Sequence, residues 1–146
     1  MKTVYSVISL SFLIVLLLVT AVNGSDWREL GKDNDGNIRF YNKISIKHKT
    51  KNIVQVWTKT IFSDESRRDY IQHREKKGLS TEKGDKLSHI LVLQEIDCKK
   101  KKTQILSIIH YDTDGNVLFT QSYDKPEWRY IISGSVYDTL RKKVCK

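Results

Sequence analysis

The sequence predicts an α+β fold: a single antiparallel β-sheet, a helix on its surface, and a C-terminal helix packed on one face and tethered by a disulfide. Three observations carry this. Two β-rich runs, Leu87 to Cys98 and Thr103 to Tyr111, flank the polar run Lys99 to Lys102, the layout of a hairpin. A turn of the form Asp-x-Asp-Gly-Asn stands at Asp33 to Asn37 and again at Asp112 to Asn116, each between runs rich in β-branched and aromatic residues. Val136, Leu140 and Val144 recur at helical spacing near the end of the chain.

The central hairpin sets the frame. With either Lys100-Lys101 or a four-residue loop at its tip, strict alternation places Ile90, Val92, Gln94, Ile96 and Cys98 opposite Tyr111, Ile109, Ser107, Ile105 and Thr103 on one face. Leu91, Leu93, Glu95, Asp97, Leu106, Ile108 and His110 then fall on the other. In the first hairpin, Trp27 to Gly31 precedes the turn and Ile38 to Tyr41 follows it. A three-residue loop with Gly36 in the left-handed position pairs Leu30 with Phe40. Asn42 to Ile46 reads as a connection or short edge strand, and His48 to Asn52 as a polar turn. Ile53 to Phe62 is β-branched and free of Gly and Pro, which suits an interior strand. Ser63 can cap a helix whose first turn holds Asp64 and Glu65 and which ends at Lys76-Lys77-Gly78. Its apolar face is little more than Tyr70 and Ile71, so it lies on the surface, and Leu79 to Lys86 is loop. The second Asp-x-Asp-Gly-Asn turn pairs Ile109 with Phe119 and Tyr111 with Val117, and Asn116 to Tyr123 is the last long strand. Pro126 breaks it, and Glu127 to Ile132 is a short extended piece. The final helix follows Ser133-Gly134-Ser135, with Ser135 and Asp138 at capping-box spacing and Arg141, Lys142, Lys143 and Lys146 at its carboxyl end.

The chain has 146 residues, enough for one domain. Residues 1–24 carry one charge, Lys2, then an apolar or hydroxyl-bearing run from Val7 to Val22 and small residues at the junction. This is the layout of a secretory signal peptide cut before Ser25; an uncleaved N-terminal anchor is the other reading. The mature chain, 25–146, holds 25 Lys and Arg against 17 Asp and Glu, a net +8. In an exported protein this charge suits acidic protein patches, acidic polysaccharide or an anionic membrane surface as well as it suits plain solubility. No nucleic-acid partner is expected.

Cys98 and Cys145 are the two cysteines. An even count in an exported chain favours a disulfide between them. Zinc needs about four ligands, and no His or Cys stands at ligand spacing from either. The Asp-x-Asp-Gly-Asn turns lack the Gly and Glu positions of an EF-hand loop and read as turn chemistry. No metal site and no cofactor is expected. His48, His73, His89 and His110 are scattered, Ser133-Gly134-Ser135 lacks the frame of a nucleophile elbow, and no catalytic residue emerges. Trp27, Trp57, Trp128 and the tyrosines at 41, 70, 111, 123, 130 and 137 are interleaved with Lys and Arg. They suit core and sheet packing, or a platform for sugar or single-stranded nucleic acid.

Taken together, several short stretches carry a family likeness. They are Asp26-Trp27 after the leader, Asp-Gly-Asn before Phe40-Tyr41, Val56-Trp57-Thr58-Lys59, Glu95-Ile96-Asp97-Cys98, Tyr111-Asp112 with Asp114-Gly115, Trp128, and Val144-Cys145-Lys146. In this order the mature chain resembles the surface-adhesin protein E family of bacterial exported proteins. The resemblance implies one sheet of about six strands carrying a C-terminal helix tied down by the disulfide, so that 1–24 is a signal peptide and 25–146 an adhesin E-like domain. It also implies a non-enzymatic surface protein that binds host or extracellular macromolecules. No cysteine stands at the Val22 to Ser25 junction, so no lipid anchor is expected, and no ligand-binding motif carries over by residue.

Three functions follow in order of support: an exported binding module, a periplasmic structural or accessory envelope protein, and, last, an enzyme. Protein isolated from its native host should have an intact mass that begins at Ser25 and carries no acyl chain. A mass retaining residues 1–24, or one with added lipid, would contradict the leader assignment.

Overall fold

The computed structural model describes residues 26–146; the expected leader and its cleavage point before Ser25 lie outside the described residues. The strands are β1 (Trp27–Lys32), β2 (Ile38–Asn42), β3 (Lys47–His48), β4 (Ile53–Ile61), β5 (Leu87–Asp97), β6 (Lys102–Asp112), β7 (Val117–Ser122) and β8 (Arg129–Tyr130). They form one antiparallel sheet in the order β1-β2-β4-β5-β6-β7, with β3 added to β4 and β8 to β6. Helix α1 (Asp64–Lys76) joins β4 to β5, and α2 (Val136–Val144) ends the chain. Short 3-10 turns occupy Lys43–Ser45 and Gly84–Lys86, where a connection and a loop were expected.

The two Asp-x-Asp-Gly-Asn turns fold alike. Asp33 N–H donates to Asn37 O at 3.0 Å, and Asp112 N–H to Asn116 O at 3.0 Å. Gly36 and Gly115 have φ of 78° and 83°, a conformation that costs a side chain-bearing residue energy. The pairs beside the turns, Lys32 with Ile38 and Tyr111 with Val117, keep the expected register. Farther out an extra residue intervenes. Leu30 is unpaired between Glu29 and Gly31, so Phe40 lies opposite Glu29 instead of Leu30. Leu118 is unpaired in β7, so Phe119 lies opposite His110 instead of Ile109.

The central hairpin departs most from strict alternation. Asp97 pairs with Lys102 across a four-residue loop, and Asp97 Oδ1 accepts from the N–H groups of Lys99 and Lys100 at 3.1 and 2.8 Å. Ile96 therefore faces Thr103 and Gln94 faces Ile105. Leu106 is then passed over, so that Leu93 pairs with Ser107, Val92 with Ile108 and Ile90 with His110. A bulge of this kind reverses the facing of everything beyond it. Ile108 and His110 turn inward with Val92 and Ile90, while Ile109 and Tyr111 join Leu91 and His89 on the opposite face. This corrects the face assignment of all four β6 residues. Cys98 correspondingly lies in the loop rather than at the end of the strand.

Both helices cover the inward face. Val54, Val56 and Ile96 are sealed by Leu140 and Val144 of α2, with Leu30, Tyr41, Ile46, Ile131 and the disulfide at the margin. Leu87, Ile90, Val92 and Ile108 are covered by Tyr70 and Ile71 of α1, with Phe62 and Leu118 beside them. A polar seam separates the two clusters. Buried Gln94 donates to Thr58 Oγ1 at 3.1 Å and accepts from Thr103 Oγ1 at 3.2 Å. Next to it, Arg39 bonds Thr60 Oγ1 at 2.9 Å and pairs with Asp33 at 3.0 Å. No helix of the described residues covers the sheet's other face, which is half-exposed; there Lys59 lies 5.0 Å from the ring centres of both Trp27 and Phe40.

The caps form as the sequence predicts. Ser63 Oγ accepts from Ser66 N–H and Ser135 Oγ from Asp138 N–H, each at 3.2 Å. The Asp138 carboxylate reaches the N–H of Gly134, one residue before the cap, and it also pairs with Arg141 at 2.8 Å and Lys142 at 2.9 Å. Bonds from Lys142, then Arg141, then the Gly134 N–H hold its carboxyl well below the usual carboxylate range. Cys98 and Cys145 are joined by a disulfide, their Cα atoms 5.6 Å apart.

The tether closes a loop of 47 residues in sequence separation, which in the chain-entropy account constrains the unfolded state by about 4 kcal/mol. Helix α2 has nine residues, too few to persist without support in water. Replacing both cysteines by serine should lower Tm, and amide exchange should rise first in Val136–Val144. A double variant that melts like the parent would contradict this account.

Candidate functional site

The feature that stands out on the surface begins where β7 ends. Pro126 has no N–H to offer a ladder, and the chain leaves the sheet after Ser122, returning only as the two residues of β8. There Tyr130 pairs with Lys102 and Arg129 with Thr103, and Ile131 N–H donates to Lys101 O at 2.9 Å. So short a strand positions its side chains without burying them. Tyr130 and Ile132 are 75% and 77% exposed, and Tyr123 and Trp128 are each 38% exposed. Most of the large apolar side chains exposed among the described residues thus fall within ten positions of sequence, and Tyr130 adjoins the run Lys99 to Lys102.

Behind them lies a cleft of about 590 Å³, bounded by the end of α1, the start of α2, the early part of β6 and the segment 123–132. Tyr123, Tyr130 and Tyr137 line it together with Lys77, Lys125 and Arg129. Lys102 Nζ lies 4.3 Å from the Tyr130 ring centre, and the Arg39 guanidinium 5.7 Å from that of Tyr137, so both rings carry a cation on one face. Arg129 lies 3.8 Å from Glu127 in an exposed pair. The side chains of Lys77 and Lys125 make no hydrogen bond or ion pair with the described residues. Ser135 Oγ, already an acceptor from Asp138, keeps its hydrogen to donate. Gln104 donates its amide to Glu95 at 2.8 Å and keeps its carbonyl oxygen.

The aromatic residues divide between buried packing and exposure. Tyr41 and Tyr70 pack against the buried clusters, and Tyr111 stacks on His89 with ring centres 5.0 Å apart. Tyr123, Trp128 and Tyr130 stand out of the surface. The run from Tyr123 to Tyr130, in which aromatic and charged residues alternate around one proline, was the signal that could have marked the site.

The other candidates have structural partners. Asp33 accepts from the N–H groups of Asp35 and Asn37 and from the Asn37 amide, and Asp112 does the same with Asp114 and Asn116. Their turn geometry uses the oxygens a cation would need. Burial raises Asp33, yet its bonds from Asn37 and Arg39 leave it below the usual range; Asp112 is lowered chiefly by the Asn116 N–H. No group of three His, Cys, Asp or Glu that could hold a metal ion occurs among the described residues.

His110 is fully buried. The Tyr70 hydroxyl lies 2.7 Å from its Nε2 and the Phe119 carbonyl 3.2 Å from its Nδ1. A proton on Nδ1 donated to that carbonyl leaves Nε2 to accept from Tyr70. Burial, then the nearby Arg74 charge, lowers its pKa to about 4, and burial raises that of Tyr70. Arg74, whose burial its polar surroundings in sequence did not suggest, donates to Ser80 O at 3.1 Å and to the Gln121 amide oxygen at 3.2 Å. It also stacks 4.1 Å from the Phe119 ring centre. A base so enclosed has no route to a substrate, and none of these groups lines the cleft.

The sequence model of surface-adhesin protein E matches residues 27–146. The chain belongs to the surface-adhesin protein E family. Among solved structures, the selenomethionine form of Haemophilus influenzae protein E matches with a TM-score of 0.51 at 9% identity, covering 84% of this chain and 87% of that one. Protein E from non-typeable Haemophilus influenzae matches with a TM-score of 0.49 at 11% identity, covering 86% and 78%. No curated protein sequence matches. For this adhesin E-like chain, the likeness to the first structure is one of fold, and that fold is the disulfide-tied antiparallel sheet with two helices. No helix of the described residues is long and apolar enough to cross a membrane.

Between its ordinary pKa of 6.5 and about 4, His110 binds a proton in the unfolded chain but not in the folded one. Stability is therefore complete above 6.5 and falls on acidification through this window, by up to about 3 kcal/mol at pH 4. His89, lowered by burial and then by Lys59, adds loss of the same sign. Urea denaturation at pH 7 and pH 4.5 should give a clear difference in the wild type and a smaller one in His110→Phe. An equal difference in both would remove His110 from this role.

Proposed function

We propose that this family member is an exported, non-catalytic binding protein that acts at the cell surface and adheres to extracellular macromolecules, without a lipid anchor of its own. The observation that carries the reading is the cluster of exposed aromatic residues beside the lysine run. Tyr123, Trp128 and Tyr130 would be costly to leave in water without use, and aromatic side chains with adjacent cations are the usual makings of a recognition surface. The net charge adds a long-range attraction toward acidic partners. Membership in an adhesin family supports the same reading, although fold and family leave the ligand to the site itself. The disulfide is in keeping with a compartment outside the reducing cytosol.

Intact cells of the native host should expose the protein to an added protease or to a domain-specific antibody without permeabilisation. Signal that appears only after the outer layers are breached would place it in the periplasm and favour the accessory envelope role.

A further inference from the structure

We propose that the cleft between α1, α2 and β8 binds an acidic oligosaccharide, one whose pyranose rings carry carboxylate groups. The inference rests on the binding-protein reading above and names the ligand class of its site.

The chemistry of the lining selects this ligand. Tyr123 and Tyr137 offer apolar ring surface with a negative face, which suits the C–H-bearing face of a sugar ring. One side of the Tyr137 ring is already taken by Arg39, which leaves the other for a ligand. Arg129 and Glu127 both line this space and pair with each other at 3.8 Å, while Lys77 and Lys125 supply cations there with no carboxylate partner among the described residues. A neutral sugar would leave those charges unanswered; a carboxylate on the sugar pairs with them. The Ser135 hydroxyl adds a donor for ring hydroxyls.

The shape argues against the other polyanions. A bilayer is broad and flat, and it would meet the protruding Tyr130 and Ile132 but not Ser135 and Tyr137 within the cleft. A nucleic-acid strand is tracked along its phosphates by a continuous basic groove, whereas these cations are grouped round a cleft of about 590 Å³, within the size range of small-ligand sites. Contact through so few cations should make affinity fall with salt, without the steep loss of a long polyelectrolyte interface.

The test is NMR titration of the folded 25–146 domain with a hexasaccharide of alternating glucuronate and N-acetylglucosamine. The controls are a neutral N-acetylglucosamine hexamer, phosphatidylglycerol vesicles and a thymidine hexanucleotide. The acidic hexasaccharide should shift resonances of Tyr123, Lys125, Tyr130, Ser135 and Tyr137, and should bind at least tenfold more tightly than the neutral hexamer. Lys77→Ala and Lys125→Ala, both at exposed positions, should each weaken it about fivefold or more while leaving Tm unchanged. No binding, equal binding of the neutral hexamer, shifts confined to residues outside the cleft, or tighter binding of vesicles or hexanucleotide would overturn the proposal. These outcomes are independent of the surface-exposure experiment: a protein exposed on cells that ignores the acidic sugar loses only this inference.

Discussion

Side chains on a strand alternate, so one unpaired residue reverses every side chain beyond it. In β6 that residue is Leu106, and the second half of the core depends on it. Before the bulge, Thr103 and Ile105 look toward the helices; after it, Ile108 and His110 do. Without the reversal, Ile109 and Tyr111 would lie under α1, and Tyr70 would have no histidine to meet. The unpaired Leu30 on β1 and Leu118 on β7 act in the same sense, and both pack into the clusters that the helices cover.

Two helices on one sheet face leave a gap between them, and the sequence fills it with polar side chains. Gln94 is wholly buried and is satisfied by Thr58 and Thr103. Such a seam contributes less than apolar packing would, because each bond replaces one made with water. It does fix the relative position of its strands, since shifting any of them would leave a buried amide without partners. Arg39 continues the seam toward α2, joining Asp33, Thr60 and the Tyr137 hydroxyl. The same tyrosine lines the cleft, so the inner seam and the outer site share a wall.

Much of this architecture was legible in the residues. The turns, caps, interior strand β4 and the stripe on α2 each have a local chemical cause, and each forms where that cause stands. Register beyond the turns was not legible. A leucine suits either face of a half-buried strand, so nothing in the pattern reveals that Leu30, Leu106 and Leu118 are passed over. Arg74 was equally hidden, since its burial depends on Phe119 and Gln121 from a strand far along the chain. The cleft shares this difficulty. Tyr123, Lys125, Arg129 and Tyr130 are visible as one run, but Lys77 and Tyr137 stand apart from it in sequence, β8 has only two residues, and what it encloses follows from pairing with β6 and from the placement of both helices.

The disulfide also settles how the molecule would carry tension. A pull between residue 26 and Lys146 runs along the backbone to Cys98, crosses to Cys145 through sulfur, and leaves by the last residue. The covalent path bypasses residues 99–144, so β6, β7, β8 and α2 hang from it as a closed loop. Strands β1 to β5 and α1 lie on the loaded path. Tyr123, Lys125, Arg129, Tyr130 and Tyr137 all belong to the bypassed loop, and Lys77 lies on the strained side. A protein that holds a ligand while being pulled by its ends would keep nearly all of the cleft out of the line of force.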